Sequence, residues 1–130
     1  SLFKKILMRY LVNATLIQRD RDDPNNDPID SMDKMLKKTR SLILFPEGSR
    51  GVPGVMAKFK KGLGYLIQRN PEINVIPVYL DNVYKTLPRG KNLILPYNCS
   101  IKFGDPIKFK SMEMDDILLS SEKAMQKLMK

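Results

Sequence analysis

The feature that most constrains the fold is a break in pattern at Pro46. Ser41 to Phe45 opens a continuous apolar run that stops at that proline, and Glu47 to Gly54 follows as a polar loop holding three glycines, Pro53 and Arg50. An uninterrupted apolar run of this length reads as a strand buried on both faces, as in a parallel sheet. Beyond the loop, Met56 to Arg69 reads as a helix with Phe59, Leu63, Leu66 and Ile67 on its apolar side. Strand, loop and helix in that order is the unit from which α/β proteins are built.

The rest of the chain continues the alternation. Leu2, Phe3, Ile6, Leu7, Tyr10 and Leu11 recur at helical spacing with Lys4, Lys5 and Arg9 between them, and Ala14 to Gln18 reads as a short strand ending at Arg19. The acidic stretch Asp20 to Pro28 reads as an exposed loop, and Ile29, Met32, Met35 and Leu36 mark a short helix. Ile73 to Leu80 supplies another strand, interrupted by Pro77, which places it at a sheet edge or ends it against a site. Pro88, Arg89 and Gly90 make a turn, Ser100 to Phe103 is a further strand, and Ile117, Leu118, Ala124, Met125 and Leu128 outline a terminal amphipathic helix. The expected fold is α/β, with a mixed, largely parallel central sheet flanked by helices. At 130 residues the chain has material for one core, so a single domain over 1–130 is expected.

Composition narrows the chemistry. There is no histidine, which removes the commonest general base and metal ligand near neutral pH, and a lone Cys99 excludes an intramolecular disulfide or a multi-cysteine zinc site. No metal site is expected. The longest apolar stretches are a few residues, far short of the roughly 18 needed to span a bilayer. The chain opens at Ser1 without a secretory pattern, as a fragment of a longer protein would.

The formal charge is +9, and it is unevenly laid. Residues 1–19 are basic, residues 20–33 acidic, and residues 34–70 hold nine Lys or Arg against Glu47 alone. Such a block implies a local site for an anion rather than a generally basic surface. Within it lies Phe45-Pro46-Glu47-Gly48-Ser49-Arg50. Its small residues let a backbone approach a ligand, Arg50 offers a planar fork suited to phosphate, and Glu47 offers an acceptor for hydroxyls. From the residues alone this reads either as a site for a phosphorylated, hydroxylated molecule or as an ordinary turn with solvated charges.

The same hexapeptide resembles the Phe-Pro-Glu-Gly-Thr-Arg signature of the glycerolipid acyltransferases, the family of the 1-acylglycerol-3-phosphate (lysophosphatidic acid) acyltransferases, with Ser49 keeping the hydroxyl of Thr. Leu16-Ile17-Gln18-Arg19 is similar to the family's strand block ending in Arg. Phe59-Lys60-Lys61-Gly62 resembles the block that opens its next helix, and Val75-Ile76-Pro77-Val78 its proline-containing strand. Phe103-Gly104-Asp105-Pro106-Ile107 resembles the strand and turn that close the domain, so the ordered blocks span about Leu11 to Lys108.

The resemblance implies transfer of a fatty acyl group from an acyl thioester, acyl-CoA or acyl-carrier protein, to the hydroxyl of lysophosphatidic acid or a related glycerol phosphate lipid in phospholipid biosynthesis. The thioester is a donor substrate, and no cofactor is implied. By analogy Arg19 and Arg50 hold the acceptor phosphate, with Arg21 an alternative to Arg19, Glu47 orients the glycerol portion so that its free hydroxyl faces the thioester, and Gly48 and Ser49 belong to the same substrate-binding set. Lys60 or Lys61 adds to the same field or meets donor phosphates, while Phe45, Pro46 and Pro77 shape the site. The implied setting is an anionic membrane surface on the cytoplasmic side, with no transmembrane segment in this chain.

One departure matters. The family's His-x4-Asp motif, which takes the proton from the attacking hydroxyl, has no counterpart here, since the chain has no histidine. The chain is therefore expected to be the C-terminal portion of a larger acyltransferase-like domain, holding no catalytic residue and inactive alone. A non-catalytic lipid-phosphate binder of the same fold is the alternative. A basic nucleic-acid-binding module is a third reading, and no nucleic-acid partner is expected, because the aromatics fall in apolar patterns and there is no Trp.

Overall fold

The computed structural model describes residues 27–39, 41–49, 51–52, 54–86 and 96–130, which fall in two compact units, Ser1–Leu42 and Ile43–Lys130. The helix expected over Leu2 to Leu11, the strand Ala14 to Gln18, most of the acidic loop and the Pro88 to Gly90 turn lie outside the described residues.

In the first unit, Asp27 starts a helix as its cap. Its Oδ1 accepts the Ile29 N–H at 2.8 Å and its carbonyl accepts the Ser31 N–H at 3.2 Å. Pro28 follows at the first helical position, where a missing N–H costs nothing. The resulting helix α1 spans Pro28–Thr39, with Asp30 in its first turn and Lys37 and Lys38 in its last, the arrangement its dipole favours. Met32 is buried, and Asp33 pairs with Lys37 at 2.7 Å one turn on, an exposed contact of a few tenths of a kcal/mol. The Thr39 hydroxyl lies 2.8 Å from the Met35 carbonyl oxygen and 2.7 Å from that of Ser41, closing the helix. The short helix expected around Ile29 to Leu36 is present.

The second unit holds helix α2 (Lys61–Arg69), strand β1 (Val78–Asp81), a single turn α3 (Val83–Thr86), strand β2 (Ser100–Phe103) and helix α4 (Met114–Met129). β1 and β2 pair antiparallel, Val78 opposite Phe103 and Asp81 opposite Ser100, and α4 packs on both α2 and β1. Phe59, Leu66, Ile67 and Ile117 are buried, each such side chain contributing about 1.5–3 kcal/mol on leaving water. Buried Asn70 closes α2: its Nδ2 donates to the Leu66 carbonyl and its N–H to that of Ile67. Two glycines permit close approach. A Cβ on Gly64 would collide with the Met114 Sδ at the head of α4, and one on Gly104 would lie 2.8 Å from the Pro77 ring.

Three expectations are corrected. Ser41 to Phe45 forms no strand among the described residues, and Ile43 and Phe45 are 88% and 70% exposed. A strand buried on both faces needs neighbours on either side, and no described element pairs with this run. The expected helix from Met56 begins only at Lys61, because the Phe59 and Lys60 amides that would close its first turn are bonded to Glu122 and Pro46 instead. The sheet of the described residues is a two-stranded antiparallel ribbon and not a parallel one. The mixture of helix and strand stands, and Ser100–Phe103 is a strand with the expected ends.

Proline explains where the ribbon ends. Gly104 donates to the Pro77 carbonyl at 2.9 Å, extending the β1–β2 register by one pair, but Pro77 has no N–H to return. The next hydrogen-bonding pair in register would oppose Val75 and Pro106, which also lacks a donor, so Ile107 instead donates to the Val75 carbonyl at 2.8 Å. Of the strand expected over Ile73 to Leu80, only the part beyond Pro77 forms, as β1 from Val78 to Asp81, so the interruption at Pro77 is met and the strand over 73–77 is corrected as well.

Candidate functional site

The loop between Phe45 and Lys60 is built on backbone donors. Gly48 N–H donates to the Phe45 carbonyl at 3.1 Å, closing a turn with Pro46 second and Glu47 third. Pro46 suits that place because its ring presets φ. Glu47 is not among the positive-φ residues, which leaves the type I geometry, and Gly48 then takes φ +74°, a value an L side chain resists. A second turn, Val52 to Val55, is closed by Val55 N–H on the Val52 carbonyl, with Gly54 at φ +76° in the third place, as a type II turn requires.

Three hydrogen bonds then pin the loop. Lys60 N–H donates to the Pro46 carbonyl at 2.8 Å, drawing the start of α2 against the first turn. Ala57 N–H donates to Glu47 Oε2 at 3.1 Å, so the carboxylate folds across the loop, and the other oxygen, Oε1, has no hydrogen-bond partner among the described residues. Phe59 N–H donates to Glu122 Oε1 of α4 at 2.9 Å, tying the loop to the core helix. Gly51 lies beneath the carboxylate: a Cβ there would sit 3.3 Å from Glu47 Oε2.

The electrostatics favour an anion beside this loop. Lys58, Lys60 and Lys61 are exposed, and α2 starts with no acidic residue in its own first turn and no side-chain cap from Lys60. Phe45, Val52 and Val55 of the same loop are exposed, and Glu47 is half-buried.

Of the residues singled out in the sequence, Phe45, Pro46, Glu47 and Gly48 form one turn, with Ser49 directly after it, Lys60 bonded to it through its backbone and Lys61 next in chain. Arg19, its alternative Arg21, and Arg50 lie outside the described residues. Pro77 is buried against Gly104 and lines a different groove. Two contributors went unread. Gly51 was within reach of sequence reasoning as one of three loop glycines. Glu122 carried no signal, since its partner Phe59 is 63 residues away.

The acyltransferase family model matches residues 2–81, more than half of the chain, so this protein belongs to the acyltransferase family, the glycerolipid acyltransferases. Among curated relatives it is 30% identical over 105 residues to the 1-acyl-sn-glycerol-3-phosphate acyltransferase of Limnanthes alba, covering 78% of this chain and 37% of that protein. It is 29% identical over 83 residues to the enzyme of the same name from Cocos nucifera, covering 64% of this chain and 27% of that one. It is 36% identical over 62 residues to the chloroplastic 1-acyl-sn-glycerol-3-phosphate acyltransferase LPAT1 of Arabidopsis thaliana, covering 48% of this chain and 17% of the relative. The chain thus spans well under half the length of each. No solved structure matches it. No helix among the described residues is long and apolar enough to cross a membrane.

Proposed function

We propose that this chain supplies the acceptor-binding part of an acyltransferase that moves a fatty acyl group from an acyl thioester, on CoA or a carrier protein, to the free hydroxyl of lysophosphatidic acid or a related glycerol phosphate lipid. In that reaction the hydroxyl oxygen attacks the thioester carbonyl carbon, an ester C–O bond forms, the C–S bond breaks, and the hydroxyl proton passes to a base as the thiol leaves. The observation that carries the reading is Glu47: one carboxylate oxygen is fixed by the Ala57 N–H, which leaves the other to accept a glycerol hydroxyl in a set direction.

In this reading Arg50 and Arg19, or Arg21 in its place, grip the acceptor phosphate. Lys60 or Lys61 strengthens the positive field, and Gly48 and Ser49 let the headgroup approach the turn. Pro46 and Phe45 hold and flank the turn, the exposed Phe45, Val52 and Val55 meeting the lipid's apolar portion at an anionic membrane surface. With no histidine, these 130 residues offer no imidazole to take the proton, so the chain binds acceptor without turning it over. A non-catalytic lipid-phosphate binder shares every feature but the transfer step.

The test is calorimetric titration of the protein with short-chain lysophosphatidate, beside an assay for acyl transfer. Saturable binding weakened about tenfold by Arg50→Ala or Glu47→Gln, with no turnover, is the expected result. Binding indifferent to both changes overturns the site, and turnover by the 130-residue chain overturns the argument about the base.

A further inference from the structure

Away from the Glu47 loop, a groove of about 630 Å³ opens between the stretch that follows β2 and one face of α4. Pro77, Ile107 and Ala124 contribute to an apolar lining. Lys108 and Lys110 line it from the stretch after β2, and Lys123 and Lys127 from α4, where residues four apart share a face. All four lysines are exposed, none is in an ion pair or hydrogen bond among the described residues, and the only acidic residue in the lining is Asp105. The helical period of about 3.6 residues sets Glu122, which holds Phe59, off the face that carries Lys123 and Lys127.

We propose that this groove is a second anion site, separate from the Phe45–Arg50 loop, for a soluble organic bisphosphate with an apolar or ring-bearing body. Two ammonium groups on each wall match two phosphate groups, and the lysine ammonium, a compact point charge, suits phosphate without requiring a planar partner. The apolar lining between the walls receives the body of the molecule. The volume falls within the roughly 300–1,000 Å³ of small-molecule pockets, and a half-open groove suits a discrete ligand better than the flat face of a bilayer. No aromatic side chain lines it, so it lacks the stacking platform a single-stranded nucleic acid needs. The inference does not rest on the proposed role of Glu47.

The experiment follows backbone amide shifts of the full chain during titration with adenosine 3′,5′-bisphosphate, with inorganic pyrophosphate and phosphatidylglycerol vesicles in parallel. Saturable shifts at Gly104, Ile107, Ser120, Lys123 and Lys127 are expected, with pyrophosphate binding more weakly. Lys123→Gln/Lys127→Gln and Lys108→Gln/Lys110→Gln each lower affinity by about tenfold, while Lys34→Gln/Lys38→Gln, an equal loss of charge on exposed α1 lysines that do not line the groove, leaves it within about twofold. The lysines are exposed, so these variants keep the fold, and far-ultraviolet circular dichroism checks that they do. Equal weakening by all three double variants, shifts confined to Gly48, Ser49 and Lys61, pyrophosphate binding as tightly as the nucleotide, or a response to vesicles alone would each overturn the proposal.

Discussion

Glu122 of α4 accepts a hydrogen bond from the backbone N–H of Phe59 at 2.9 Å, across 63 residues of chain. Phe59 is itself buried, so one residue joins the loop to the core through both its ring and its amide. Glu122→Gln, which keeps an acceptor oxygen, is expected to cost under about 1 kcal/mol. Glu122→Ala leaves a part-buried donor unmet and costs about 1–3 kcal/mol. Urea unfolding measures both, and hydrogen exchange at Phe59 should quicken only in the alanine variant.

Glu47 has a structural bond and a proposed chemical one, and two substitutions separate them. Glu47→Gln retains an oxygen for the Ala57 N–H but removes the charge, so stability changes by less than about 1 kcal/mol while lysophosphatidate binding falls. Glu47→Ala loses both. Thermal unfolding beside calorimetry tells them apart: equal destabilisation by the two variants would show that the carboxylate charge, and not only its reach, holds the loop.

Gly51 and Gly54 resist alanine for different reasons. Gly54 has open space but φ +76°, so Gly54→Ala costs about 1–2 kcal/mol of backbone strain wherever the side chain points. Gly51 has no such backbone demand, yet its Cβ would press on Glu47 Oε2 at 3.3 Å. Gly51→Ala is therefore expected to disturb acceptor binding more than stability, and Gly54→Ala the reverse, read by the same two measurements.

Gly64 lets α2 meet α4. Gly64→Ala gains helix propensity of roughly 1 kcal/mol but drives a methyl into the Met114 side chain, and overpacking of this kind costs about 1–3 kcal/mol. A net loss is expected in Gly64→Ala alone. In a double-mutant cycle Met114→Ala should recover it, because the truncated side chain leaves room for the methyl. Additive effects would mean that the two helices do not touch at this point.

What could be read from sequence follows from which contacts are local. The turn at Phe45 to Gly48 was legible because Pro46 and Gly48 state their backbone needs in their own chemistry, and Ser100–Phe103 and the apolar face of α4 followed their periodicities. The start of α2 was not: the apolar spacing of Phe59, Leu63 and Leu66 extends the pattern upstream, but Glu122 and Pro46 take the amides of Phe59 and Lys60 that would close an earlier turn. Tertiary bonds outbid a local signal there. The run from Ser41 misled in another way, since an apolar run declares a need for cover without naming what provides it. Within the site, Glu47 was evident from its motif, whereas Glu122 belongs to a bond between distant segments that no spacing rule encodes.

The loop's fastenings are made to main-chain N–H groups at positions 57, 59 and 60, and an N–H is common to every amino acid except proline. Phe59 is further constrained by its buried ring, but Ala57 and Lys60 are exposed. Their side chains are therefore free to be exchanged, altering the charge and bulk presented to a ligand, without loosening the frame that presents them.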